Sequence, residues 1–393
     1  MSEQNPFGNL PMFGDIARLL SSQGPVNWDV ARQLAGWVAT DGQDEPNVEP
    51  LERMRFEELL RVAELRVADA TGLETAPGAG LLRGAPVTRR DWASRTLTAY
   101  GPLLERLARA LAAPSPDDEQ PPEGERTEEE AAAGLLGDLG RMMSPVLLGV
   151  QAGSMVGHLA RRAFGQYDLP LPRPVSNELL MVPANLDAFV EQWSIPAEDL
   201  RLWVCLREVT LHAVLRRPHV DTRLRALLDE YVGAFSFDPG ALESSLGDFD
   251  PSDPSGLSAV LASTEALLGM LRTPAQEPVL RGIETLVVPI AGYVDHLLDT
   301  IGSSLIGSYG RLTEALRRRR VEESDGERFV NRILGLELGR AQYERGQAFV
   351  RGVVERAGED GLRPLWGSER DLPTAAELDA PGLWLARIEL PDQ

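Results

Sequence analysis

One segment, Leu206-Arg207-Glu208-Val209-Thr210-Leu211-His212-Ala213-Val214, holds the residue types from which chemistry is built. A helix that activates a metal-bound water carries two histidines one turn apart, so that both imidazoles grip one metal while the adjoining glutamate polarises the water. Here that His-Glu-x-x-His frame reads Arg207-Glu208-Val209-Thr210-Leu211, and of its functional positions only the glutamate remains. A second arrangement uses other residues. Glu208 and His212 lie four apart on one flank, and Asp295 and His296 follow on a later helix. Glu208, His212, Asp295 and His296 would form a displaced metal set if the two flanks converge.

The remaining reactive types are sparse. Cys205 is the single cysteine, so an internal disulfide and a multi-cysteine zinc knuckle are both excluded. Set in mid-helix, its thiol lacks activation and reads as structural. His158 reads as a hydrogen-bonded structural residue and His219, after Pro218, as part of a surface turn. The chain has no G-x-S-x-G elbow, P-loop or dinucleotide fingerprint. The run Arg317-Arg318-Arg319-Arg320 is the only dense basic cluster and reads as a solvated helix terminus, where positive charge suits the dipole.

Helices must position these groups, because apolar spacing is helical almost throughout. Asn27 is expected to cap a first helix, Asn47 to precede a long one, and Thr88 to open a third. Gly149, Gly153 and Gly157, four apart, line one helical face and let another backbone approach. The prolines of GQYDLPLPRP, residues 165–174, stop that helix, and ELLMVP reads as the one strand, with Asn185 capping the next helix. Further helices are expected over 197–216, 221–235, 257–271, 277–302, 304–320 and 326–357, then a packed tail with two short helices. The organisation read from this is an N-terminal helical region (1–113), an acidic Pro-rich loop or linker (114–130), a helical core (131–360) and a C-terminal tail (361–393). Thr127 and Glu130 form a capping box where the helix pattern resumes.

The chain has 393 residues, enough at about 150 per domain for a sizeable core. Its 39 positive residues are all arginine, against 60 acidic ones, for a formal charge of −21. That balance argues against a nucleic-acid partner and against docking on an anionic membrane. The most apolar stretch, 131–159, is interrupted by Asp138, Arg141 and Gln151, so no membrane span is expected. With no basic-then-apolar leader in the first thirty residues, a cytoplasmic location is expected.

Several separated blocks together resemble a bacterial family of zinc-dependent metalloproteases, zincin-like hydrolases of mostly helical fold. They are GQYDLPLP at 165–172, LDAFVEQWSIPAEDLRLW at 186–203, REVTLHAVLRRPHV at 207–220, AGYVDHLLDTIG at 291–302 and GLELGRAQYERGQAFVRGVVERAG at 335–358. The resemblance implies a mainly α, multi-helix zincin-like metallopeptidase-type fold with little or no sheet. It places the family's metal-ligand histidines on Arg207 and Leu211, its water-activating glutamate on Glu208 and its third ligand on Ala291. At about 100° per residue, Leu200, Val204, Arg207, Leu211 and Val214 share a stripe, as do Val287, Ala291, Val294 and Leu298. Arg207 is therefore expected to take the place of the metal's charge and to bond an inward carboxylate, with Asp295, Glu284 and Glu337 as candidates. The resulting expectation is a family member that has lost its zinc ligands, needs no cofactor and acts as a non-catalytic binding or regulatory protein for an unidentified protein or peptide. Two alternatives stand beside it: an active hydrolase retaining zinc with Glu208 as general base, and an interaction scaffold using the acidic loop and the glycine helix.

Overall fold

The computed structural model describes residues 24–76, 80–111, 128–235, 273–321, 334–336 and 339–390. The acidic segment 114–127, the expected 257–271 helix, the Thr127 end of the capping box and Glu337 lie outside them.

The first helices are α1 (Trp28–Ala39), α2 (Pro50–Thr71), α3 (Arg89–Leu111) and α4 (Glu128–Ala160). Asn27 caps α1 as expected, its side chain accepting from the Val30 amide at 3.1 Å. The Thr88 hydroxyl likewise accepts from the Asp91 amide at 3.0 Å at the head of α3. The glycine face of α4 is used within the chain. A Cβ on Gly149 would meet the Asn27 carbonyl at 2.5 Å and one on Gly153 the Ala31 carbonyl at 2.5 Å, so α1 lies directly on that face.

Two strands form one small parallel sheet, β1 (Arg83–Pro86) beside β2 (Glu178–Met181). The sequence signals β2 but not β1, because Arg-Gly-Ala-Pro has neither alternation nor β-branched residues. Pairing succeeds through packing: a Cβ on Gly84 would stand 2.9 Å from Phe56 on α2.

After β2 come α5 (Pro183–Trp193), α6 (Ala197–Leu215), α7 (Pro218–Gly233), α8 (Gln276–Leu305), α9 (Tyr309–Val321) and α10 (Arg340–Ala357). Asn185 is not the cap of its own helix. It sits buried in the first turn of α5, where its amide donates to the Ala160 and Ala163 carbonyls at 2.9 and 2.7 Å. It thereby satisfies the carbonyls that the end of α4 leaves orphaned. His219 is likewise in the first turn of α7 rather than in a turn between elements.

The last long helix is described over Arg340–Ala357, and the expected start near residue 326 lies outside the described residues. Ahead of it Gly335 takes a left-handed backbone, φ 65°, in a spot where a Cβ would meet Leu280 at 2.8 Å. α8 and α10 cross at glycines: a Cβ on Gly292 would be 2.3 Å from the Gly346 backbone. The tail folds as a 3-10 turn over Glu359–Trp366 and the short helices α11 (Ala375–Asp379) and α12 (Pro381–Ile388). Trp366 and Trp384 are fully buried, edge-on to Tyr293 and Phe349.

One cluster of buried side chains runs from Ala31 to Trp384. Among the described residues no helix is long and apolar enough to cross a membrane.

Candidate active-site cleft

The central helix α6 starts after Pro196 with Glu198 and Asp199 in its first turn, where carboxylates suit the positive end of the dipole. Its interior is buried on nearly every side: Leu200, Val204, Cys205, Leu206, Val209, Leu211 and Val214 are all inaccessible. Glu208 is buried completely and Arg207 keeps 19% of its side chain exposed.

The loop of residues 165–174 lies across this helix. The Arg207 guanidinium donates to Glu208 Oε1 at 2.8 Å, to the Tyr167 carbonyl at 3.0 Å and to Asp168 Oδ1 at 3.5 Å. The other Glu208 oxygen accepts from the Tyr167 amide at 2.7 Å. Both Glu208 oxygens are thus bonded inside the protein. Gly165 is what lets the carboxylate in, since a Cβ there would stand 2.5 Å from Glu208 Cδ. The loop is pinned in turn by Trp92, whose indole donates to the Gly165 carbonyl at 2.8 Å, and by Asp168, which accepts from the Phe164 amide at 2.6 Å.

Arg207 turns inward and pairs with carboxylates, but not with the ones expected from sequence. Asp295 is held by Arg320 at 2.7 and 3.0 Å and by Gln347 at 3.0 Å. Glu284, half-buried on α8, does not bond Arg207 either. Asp168 and Tyr167 escape a reading by spacing because a proline-broken loop carries no periodicity. The only sequence signal for them is that GQYDLPLP is one of the blocks of family resemblance.

Electrostatics follow burial. Desolvation pushes the Glu208 carboxyl up to about 7, with the Arg207 charge pulling against it and Asp168 adding to it. His212 is held neutral, its ordinary value lowered to about 3 by burial, with the Arg216 charge reinforcing this. Burial also raises the Tyr167 hydroxyl and the Cys205 thiol, so Cys205 is a packed, unactivated residue.

The residues of the displaced metal set go separate ways. His212 Nδ1 shares a 2.9 Å hydrogen bond with the Tyr167 hydroxyl, while His296 Nε2 pairs with Glu359 at 2.9 Å on the surface. Among the described residues, no three His, Cys, Asp or Glu side chains gather as a metal-holding group. His158 is structural, bonded through Nδ1 to the Ser154 carbonyl at 2.8 Å.

Arg207, Leu211 and Ala291 do converge. All three line one cavity of about 210 Å³ between α6, α8, α9 and the 165–174 loop. Its walls are mixed, apolar side chains alternating with Asp168, Arg207, Asp295, Arg319, Arg320 and Tyr343. The arginine run is therefore only partly a solvated helix end: Arg317 and Arg318 face solvent, whereas Arg319 and Arg320 turn towards this cavity. Glu208 is not among the lining residues.

Residues 26–385 match the model of a family described as zincin-like metallopeptidase. The chain belongs to that family. A crystal structure from Chloroflexus aurantiacus, described as "a putative hydrolase with a novel fold", shares the architecture at a TM-score of 0.64 and 23% identity. The match covers 93% of this chain and 100% of that one. No curated protein matches the sequence. Zincin-like metallopeptidases typically bind zinc. The residues of this member at the three positions carried over from the family do not fit that ion. Arginine is a permanent cation with donors only, and leucine and alanine offer no lone pair at all.

Proposed function

We propose that this zincin-like metallopeptidase works by binding a protein or peptide in its cleft rather than by cleaving one. The observation that carries the reading is Arg207, which lines the cavity where a metal ligand would be expected and is locked onto Glu208 at 2.8 Å. A general base must reach the water it deprotonates. Glu208 is fully buried with both oxygens already accepting hydrogen bonds. The guanidinium supplies positive charge to the cleft in a form that cannot polarise a water as a Lewis acid does.

The active-hydrolase reading draws on a different observation, that Glu208 titrates near 7, within the range useful to a base. The test is zinc analysis of the purified chain together with a peptidase assay on the native protein and on Glu208→Gln. Binding without cleavage predicts substoichiometric zinc and no difference between the two proteins. Stoichiometric zinc, with cleavage that Glu208→Gln abolishes, would overturn it. The scaffold reading loses one of its two supports, because α1 already covers the glycine face of α4.

A further inference from the structure

Helix α2 is apolar on two opposite faces, and the fold uses one of them. Phe56, Leu60, Ala63 and Val67 are fully buried. This inner face lies against β1, where Gly84 meets Phe56, and reaches α6 through Glu52, which accepts from Arg201 at 3.3 Å. On the outer side Leu51, Met54, Val62 and Leu65 are 49, 60, 41 and 69% exposed. At about 100° per residue these four fall within about 80° of one another, on a stripe about 170° from the buried one. From Leu51 to Leu65 it runs about 21 Å along the axis. The outward face of a surface helix is ordinarily polar, so an apolar stripe there marks a contact surface.

Two charges say what covers it. Glu58 projects from the middle of the stripe and Arg61 from its Met54 edge, both exposed. Among the described residues neither has an ion-pair partner, whereas Glu52 is engaged by Arg55 and Arg201, and Glu64 by the Leu82 amide. A second copy of the helix, turned antiparallel about a two-fold axis level with the peptide between Leu59 and Leu60, sets Glu58 opposite Arg61 twice over. The same register sets Met54 opposite Leu65 at both ends. A parallel pairing, or an antiparallel one centred on Glu58, would set Glu58 against Glu58 instead, and like charges so placed repel.

We propose that the outer face of α2 is the contact surface of a homodimer, in which two copies of this chain pair their α2 helices antiparallel. One helix pair covers less than the roughly 1,200 Å² of stable complexes, so the association is weak and half complete at about 10–100 µM. The stripe faces away from α6, and the pairing does not depend on what the cleft binds.

Sedimentation equilibrium of the full chain from about 1 to 300 µM, in about 0.15 M salt to screen the repulsion between two copies of charge −21, reads the association. A monomer–dimer equilibrium is expected. Leu65→Glu should weaken it about tenfold or more, while Leu383→Glu, at a leucine 61% exposed on α12, leaves it unchanged. Glu58→Arg and Arg61→Glu should each weaken it about fivefold, and the double variant, which keeps the native net charge, should restore it. A chain monomeric throughout the range, a dimer that Leu65→Glu leaves intact, or a double charge swap no better than its single parents overturns the proposal. Glu58 and Arg61 are exposed, so the charge swap reports even if Leu65→Glu fails to fold. Metal content and peptidase activity enter none of these readouts, so the dimer stands or falls apart from the reading of the cleft.

Discussion

Arg207 and Glu208, neighbours in sequence on α6, are paired at 2.8 Å although their Cα–Cβ bonds point about 100° apart around the helix. The pair closes because Arg207 bends back under the 165–174 loop, taking the Tyr167 carbonyl on the way. A completely buried carboxylate thus has its cation supplied by the adjacent residue. Arg207→Met should therefore strand Glu208. At pH 8, where Glu208 is ionised, the expected loss is about 3 kcal/mol, the lower end for breaking a buried pair because Arg207 is partly exposed. At pH 5 Glu208 takes up a proton and the loss should shrink. Urea denaturation of both proteins at the two pH values measures the difference, and an equal loss at both would show that Arg207 acts only by packing.

The same burial shapes the pH dependence of stability. Glu208 has a folded value near 7 against an ordinary 4.5, so its contribution is fully present below 4.5 and is lost as pH rises through 7. His212 runs the other way, near 3 against 6.5: its contribution is present above 6.5 and lost as pH falls towards 3. Between 4.5 and 6.5 the two slopes, each at most about 1.4 kcal/mol per pH unit, oppose one another. Glu208→Gln removes one of them. Relative to the native chain, the variant should gain stability steadily from pH 4.5 to 7, and a flat difference across that window would refute the assignment.

Tyr167 supports His212 from the loop. Nε2 of His212 is already buried without a partner, so Tyr167→Phe would leave the whole imidazole unsatisfied. A loss of about 1–3 kcal/mol is expected, visible as a lower midpoint in thermal or urea unfolding. A stability unchanged by the substitution would mean that the hydroxyl contact contributes nothing.

Close backbone approaches make two glycines sensitive. Gly346→Ala gains up to about 1 kcal/mol in helix propensity, but its Cβ would lie 2.3 Å from the Val288 carbonyl oxygen on α8. Backbone cannot swing aside as a side chain can, so a net loss of about 2 kcal/mol is expected. Gly165→Ala meets Glu208 instead, and should lower stability while displacing the carboxylate from Arg207. Denaturation midpoints check both. A stabilised Gly346→Ala would show that α8 and α10 separate at little cost.

Much of this molecule was legible in the sequence, for reasons tied to particular residues. The period of α6 and α8 places Arg207, Leu211 and Ala291 on inward stripes, and all three line the cavity. The spacing of Gly149, Gly153 and Gly157 signals a close backbone contact, and α1 supplies it. The features that escaped reading depend on contacts between distant segments. β1 exists because Gly84 fits against Phe56, and Asn185 caps a helix other than its own. Arg207 finds Asp168 because a loop without periodicity folds over it.

The convergence of Arg207, Leu211 and Ala291 on one cavity can be tested by restoring what the family resemblance expects there. Histidines one turn apart on α6 and a carboxylate from α8 would place three donors around one point, provided the helices stand as they do here. The triple variant Arg207→His, Leu211→His, Ala291→Glu should then take up about one equivalent of zinc and be stabilised by it, whereas the native chain should not. The three changes also remove the cation that pairs with Glu208, so the metal-free variant should be less stable than the native protein and regain stability as zinc is added. Unfolding midpoints with and without zinc, alongside metal analysis, read both effects. A folded triple variant that ignores zinc would show that the three positions face one cavity without sharing a coordination point.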